Sequence, residues 1–267
     1  MVRVLITGAT GTVALAAGKH LCSQNHEVVG VSRSIEESES YTDVEQIDLL
    51  EEKDLERLEK LMEDVGAVFH LAWNLTAENF DTESKWEGNI EMFRNALNSA
   101  KNAGVPIFIN GSSIHAGTGN IPAYTVEASL EDTPDPYKKS INPGSDFDLR
   151  KDRPEKLLDP RVNDPDSPYG ESKIETEKMT REAVRRGDFT LGVSIRIGGV
   201  NEGDKGDLRG EPFYSSLYWS HRDLGTTVEN IVTSDLDEKK GYHQFYGVSD
   251  NDGRIFNIEN SFTTPKN

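Results

Sequence analysis

Short apolar runs alternate with amphipathic stretches along the chain. VRVLI at 2–6, EVVGVS at 27–32, VEQID at 44–48, AVFHLA at 67–72, VPIFIN at 105–110, FTLGVSIRI at 189–197 and HQFYGVS at 243–249 predict seven strands. Between them lie helical patterns over Thr12–Gln24, Asp54–Val65, Ser84–Ala103 and Leu224–Leu236. Leu55, Leu58, Leu61, Met62 and Val65 mark one face of the second, and Gly104 supplies a stop for the third. Strand–helix alternation with apolar strands predicts an α/β fold, a Rossmann-type doubly wound parallel sheet of about seven strands. Such sheets bind ligands beyond the carboxyl ends of their strands, so the residues just after each strand carry the functional information.

One region breaks the rhythm. Residues 114–168 hold eight of the eleven prolines. So long an excursion within a single domain (1–267) reads as a lid, an assembly interface or a tolerated surface loop. Residues 198–267 are expected to form a small substrate-side C-terminal portion.

The first strand runs into TGATGTVA, which opens the first helix. Gly8 and Gly11 permit a tight turn and close approach to a pyrophosphate, with Thr10, Thr12 and Val13 around it and Ala14 in place of a third glycine. The helix start offers free N–H groups and a positive dipole. A nicotinamide dinucleotide is the expected cofactor. NAD-binding sites place Asp or Glu after the second strand, whereas this chain has Ser32, Arg33 and Ser34. Arg33 suits a 2′-phosphate, so NADP is expected, with NAD possible if Arg33 is a surface charge or stacks on adenine.

Ser112 and Ser113 follow the fifth strand, and SPYGESK places Tyr169 and Lys173 on one helix face, with Ser167 as N-cap and Pro168 first in the helix. An ammonium near a phenol favours the phenolate, so Lys173 is expected to lower the Tyr169 pKa and make Tyr169 a general base.

The 47 Asp plus Glu against 29 Lys plus Arg give a net charge of −18, spread along the chain. That balance disfavours nucleic acid as a partner. It suits high internal salt, though acidic mesophilic proteins share it. A lone cysteine, Cys22, fits a reduced cytoplasmic setting, and no apolar run is long enough to span a membrane.

With TGATG, Asp48-Leu49, HLAW at 70–73, Asn89, Ser113, Tyr169 and Lys173, nearly the whole chain resembles an extended short-chain dehydrogenase/reductase. The resemblance implies a catalytic triad of Ser113, Tyr169 and Lys173. It also implies that Asp48 and Leu49 sit near adenine and that Leu71, Ala72, Trp73, Asn89 and Ile197 line the cofactor. Asp48 also reads as a helix-start carboxylate, and Asn89 as a buried structural amide.

SSIHAG, IRIGGV, YWSHRDL and YGVSDNDGRIFNIENS are similar in order and texture to uronate dehydrogenases and NADP-linked archaeal aldose 1-dehydrogenases. These oxidise the anomeric carbon of a free sugar to a lactone. The likeness implies that Ile114, His115, Gly199 and Arg209 face substrate, beside Trp73, Leu75 and Ser113. His115 could equally be a satisfied loop histidine, and Arg209 a surface ion pair. The uronate enzymes have polar groups near Leu75, Ile114 and Gly199, so a neutral aldose such as L-arabinose is the expected substrate here. The alternatives are a uronate, the internal redox chemistry of a nucleotide-sugar epimerase or dehydratase, and a non-catalytic NADP sensor. A dimer or tetramer is expected, as is common in the superfamily.

Overall fold

The computed structural model describes residues 1–34, 38–75, 86–119, 157–206, 215–251 and 254–263. Seven strands form one sheet: β1 (Arg3–Thr7), β2 (Glu27–Ser32), β3 (Asp43–Gln46), β4 (Ala67–His70), β5 (Ile107–Ser113), β6 (Leu191–Ile197) and β7 (Gly241–Gly247). Their order is β3-β2-β1-β4-β5-β6-β7 and every pairing is parallel. The fold is therefore the doubly wound Rossmann type that the alternating pattern predicts. Strand order reverses between β1 and β4, which opens a crevice at their carboxyl ends.

Parallel strands are covered on both faces, which is why their side chains are apolar on both sides. On one face, α1 (Thr12–Ser23) and α5 (His221–Val232) pack Ala17, Leu21, Leu224 and Val228 against Val4, Ile6, Phe69 and Val193. On the other, α2 (Glu52–Leu61), α3 (Glu87–Asn102) and α4 (Pro168–Arg186) bring Leu58, Phe93, Leu97 and Ala183 against Leu5, Val68 and Phe108. Fully burying a side chain such as Leu21 or Leu58 contributes roughly 1.5–3 kcal/mol. A third cluster of Ile114, Leu217, Tyr246, Val248, Ile255 and Phe256, joined by Leu158, lies beyond the ends of β5 to β7.

Boundaries shift where local chemistry outweighs the apolar pattern. β5 runs on through Gly111, Ser112 and Ser113, because β6 stays paired to it as far as Ile197. Helix α5 starts at His221, ahead of the first apolar residue of its pattern, because the Ser220 side chain accepts from Asp223 N. It ends at Val232, and Asp235 caps a separate short α6 (Leu236–Lys239). The expected cap of α4 forms: Ser167 Oγ accepts from Gly170 N, and Gly187 closes the helix at φ 81°. No helix among the described residues is long and apolar enough to cross a membrane.

Candidate active site

The β1–β4 crevice is built on Thr7 and Gly8. Thr7 Oγ1 accepts from Leu71 N at 3.1 Å and Ala72 N at 3.2 Å and lies 3.0 Å from His70 Nδ1. Having accepted twice, the hydroxyl gives its one proton to Nδ1, which leaves the His70 proton on Nε2, buried and with no hydrogen-bond partner among the described residues. Burial, with the nearby Lys173 charge, pushes the His70 pKa down to about 3. Gly8 adopts φ +71°, and a Cβ there would lie 2.7 Å from Ala72 N. Only glycine fits both that dihedral and that approach.

Helix α1 opens at Gly11 with no side-chain cap and no acidic residue in its first turn. Its N–H groups are left for an anion. Tyr41 Oη donates to Ala9 O at 2.7 Å and braces the loop from below.

Two cavities flank this loop and share Gly8, Gly11, Leu71 and Trp73. One, of about 170 Å³, is bounded by Thr10, Ser32, Arg33, Ile47 and Leu49. The other, of about 350 Å³, is bounded by Val13, Ser113, His115, Tyr169, Lys173 and Ile197. An uncapped glycine cradle between two adjoining cavities suits the two halves of a dinucleotide, so the residues present fit that cofactor.

The second cavity holds the reactive groups. Tyr169 is buried beside Trp86, at 5.1 Å between ring centroids, and His115, at 5.5 Å. Burial pushes the Tyr169 pKa up to about 12; a hydrogen bond with Ser113 opposes the rise and the Asp166 carboxylate adds to it. Lys173 Nζ donates to Gly111 O at 2.9 Å, lies 5.7 Å from the Tyr169 ring centroid and sits 3.5 Å from that of Trp73. Burial lowers its pKa to about 7, with Glu177 acting the other way. The expectation that Lys173 lowers Tyr169 is thus corrected. The ammonium points to a carbonyl and an indole, and burial dominates both groups. His115 Nδ1 lies 2.7 Å from Asp166 Oδ2, which also accepts from Thr118 Oγ1 at 2.7 Å.

Residues 4–206 match the NAD dependent epimerase/dehydratase family. The chain belongs to that family. No curated protein matches it by sequence. Among solved structures it resembles a glucuronic acid dehydrogenase from Chromohalobacter salexigens, with TM-score 0.68, 20% identity, and coverage of 97% of this chain and 81% of that one. A mutant uronate dehydrogenase from Agrobacterium tumefaciens complexed with NAD gives TM-score 0.66 at 19% identity, over 96% and 80% of the two chains. A UDP-N-acetylglucosamine 4-epimerase from Bacillus cereus gives 0.62 at 18%, over 94% and 79%. The family is thus that of the NAD-dependent epimerases and dehydratases, and the fold is shared with solved uronate dehydrogenases.

Most residues expected in the family's cleft line it. Gly8, Thr10, Gly11, Thr12, Val13, Ser32, Arg33, Leu49, Leu71, Ala72, Trp73, Ser113, His115, Tyr169, Lys173 and Ile197 border one cavity or both, and Leu75 stands at the rim, 56% exposed. Five do not. Asn89 Oδ1 accepts from Asn74 N at 2.6 Å and Nδ2 donates to Asn74 O, so its amide holds the loop after β4. Asp48 stands between Ile47 and Leu49, which line the slot, but its Oδ1 accepts from Leu50 N at 3.0 Å in the turn before α2. Ser34 is exposed outside the slot. Ile114 turns into the third apolar cluster. Gly199 exchanges backbone hydrogen bonds with Leu217 and Trp219, both at 2.8 Å, while Gly198 lines the pocket instead. Arg209 and residues 120–156 of the excursion lie outside the described residues. Sequence reasoning missed Ile47, Asn74 and Met92 in the slot, and also Asp166, Trp86, Glu177 and Arg196, which tertiary contacts alone bring to the site.

Proposed function

We propose that the protein oxidises a free neutral aldose, such as L-arabinose, at C1 to the lactone, with NADP as hydride acceptor. The observation that carries this reading is the meeting of Ser113, Tyr169 and Lys173 in one cavity that adjoins the open α1 start. The dinucleotide supplies the hydride chemistry when bound.

The chain's own groups do the rest. Gly8, Gly11 and the first N–H groups of α1 hold the pyrophosphate. Arg33, exposed at the slot, has its backbone O held by Gln46 Nε2 at 2.9 Å, and its guanidinium, which has no hydrogen-bonded or ion-paired partner among the described residues, faces a 2′-phosphate. Lys173 holds the nicotinamide ribose, Ser113 orients the sugar hydroxyl, and Tyr169 accepts its proton. With its pKa near 12, Tyr169 is protonated at neutral pH. It is therefore poised to donate to a carbonyl, and lactone formation calls for alkaline pH.

Apolar Trp73, Trp86 and Leu75 around the pocket favour a neutral sugar over a uronate. Residues 198–267 would form the substrate side, residues 114–168 a lid or interface within a homo-oligomer, and the acidic surface would suit a salty cytoplasm. An epimerase reading draws on the family match and on the 4-epimerase likeness. The test is reduction of NADP and NAD in molar salt with L-arabinose, D-xylose, D-glucose and D-glucuronate. Rapid NADPH formation from a neutral aldose supports the proposal. Silence with every sugar, together with NAD retained through purification, favours the epimerase.

A further inference from the structure

Beneath the reactive groups lies a buried carboxylate for which the proposed reaction has no role. Glu177 stands one turn beyond Lys173 on α4 and is 1% exposed. Arg196 of β6, fully buried, donates to it twice, Nε to Oε1 and Nη2 to Oε2, each at 2.9 Å. Gln244 of β7 donates to Oε2 at 3.0 Å, and Ser112 of β5 donates to Oε1 at 2.5 Å. A buried ion pair rarely gains more stability than its desolvation costs, so what it places matters more than what it stabilises.

What it places is the reaction centre. Three consecutive residues of β5 bind three positions on α4. Gly111 O accepts from Lys173, Ser112 donates to Glu177, and Ser113 bonds to Tyr169. Glu177 is the middle fastening of that seam. Arg196 also donates to Val162 O at 2.7 Å and Asn163 Oδ1 at 2.6 Å, so the segment that leads into the Ser167 cap of α4 rests on the same pair.

We propose that Glu177 is a positioning residue for the oxidation: backed by Arg196, it holds the Ser112–Ser113 strand end against α4 and places a buried negative charge one helical turn from Lys173. The proposal extends the reading of Lys173 as the residue that holds the nicotinamide ribose. The other charged or titratable groups around the two residues are Tyr169 and Arg181 on α4, Asp166 and His115 beside Tyr169, His70 on β4, Arg196 on β6, Tyr242 and Tyr246 on β7, and Asp159 beyond Arg196. His70 is neutral and the three tyrosines are protonated near pH 7, while Asp159 is ionised on the far side of Arg196. Glu177 is thus the negative group that offsets the burial of Lys173.

The test is an NMR titration of the lysine Nζ and Cε signals in the free protein, with Lys173 assigned by its loss in Lys173→Ala. The wild-type midpoint should lie near 7. Glu177→Gln keeps the shape and can still accept from Ser112 but lacks the charge. Its Lys173 midpoint should fall by about one pH unit, and its turnover at pH 8 about tenfold, with KM for the dinucleotide raised and KM for the sugar unchanged. An unmoved midpoint overturns the proposal. If Glu177→Gln does not fold, Glu177→Leu combined with Arg196→Met removes both charges together, a replacement that buried pairs often tolerate. A folded double variant with an unshifted midpoint and normal turnover makes the pair purely structural and overturns the proposal, as does failure of both variants to fold. A shifted midpoint in a protein that oxidises no sugar would keep Glu177 as the partner of Lys173 while refuting the sugar reaction.

Discussion

The Lys173 ammonium lies 3.5 Å from the centroid of the Trp73 ring. That indole borders both cavities of the cleft, and its Nε1 is buried with no hydrogen-bond partner among the described residues. In the free protein, Trp73 therefore covers the group assigned to the nicotinamide ribose. A desolvated cation–π contact of this kind is worth about 2 kcal/mol and must be broken before Lys173 meets a ribose. Titration with NADP should change the tryptophan fluorescence, and Trp73→Ala should bind the dinucleotide about thirtyfold more tightly. Weaker binding by Trp73→Ala would instead make the indole part of the dinucleotide's contact surface.

Tyr169→Phe should lose at least about a hundredfold in turnover and keep its dinucleotide affinity. The wild-type rate of lactone formation should climb from pH 7 towards pH 10, because the proton acceptor has a pKa of about 12 and only its ionised fraction acts. A rate that is flat over this range would assign the proton to another group.

Arg33→Ala should weaken NADP binding about tenfold to a hundredfold and leave NAD nearly untouched, as expected for loss of a charge-assisted hydrogen bond. Calorimetry with both dinucleotides decides it. Equal losses would make Arg33 an adenine-stacking residue, and no loss would make it a surface charge.

His70 makes the fold acid-sensitive. Its folded pKa of about 3 lies below the ordinary 6.5, so between these values the unfolded chain takes up a proton that the native state refuses. The contribution of His70 is complete above pH 6.5 and falls by about 1.4 kcal/mol for each unit between there and pH 3. Lys173 has the same sign at higher pH: lowered from 10.5 to about 7, it adds stability as pH rises between those values. In His70→Leu the loss of stability from pH 6.5 to 4.5, measured by denaturant titration, should be shallower than in the wild type. An identical slope would remove His70 as its source.

The charge of −18 should make stability depend on salt. The thermal midpoint should rise by several degrees between dilute buffer and molar KCl. A constant midpoint would mean that the acidic surface serves some other end.

The parallel sheet of seven strands and the glycine cradle are legible in the sequence because each rests on local signals: a period, a turn or a cap. Ser167 and Pro168 announce the start of α4, and Gly8 announces the β1 turn. What stays hidden is set by tertiary contact. Nothing near Glu177 marks it as the partner of Arg196, 19 residues away, or of Ser112, 65 away. Tyr41 braces Ala9 from across the β2–β3 connection. The titration of Lys173 and Tyr169 also escapes the sequence, since spacing puts charge beside phenol while burial decides the sign.

The long excursion leaves and rejoins the domain through a narrow neck. Gly119 N donates to Asp164 O at 2.6 Å and Asp164 N donates to Ala116 O at 3.1 Å, so its two ends are fastened together independently of what lies between. Loop-closure entropy grows only slowly with length once such ends are fixed. A relative could therefore carry a different stretch between these two anchors without altering a residue of the sheet or of the reaction centre.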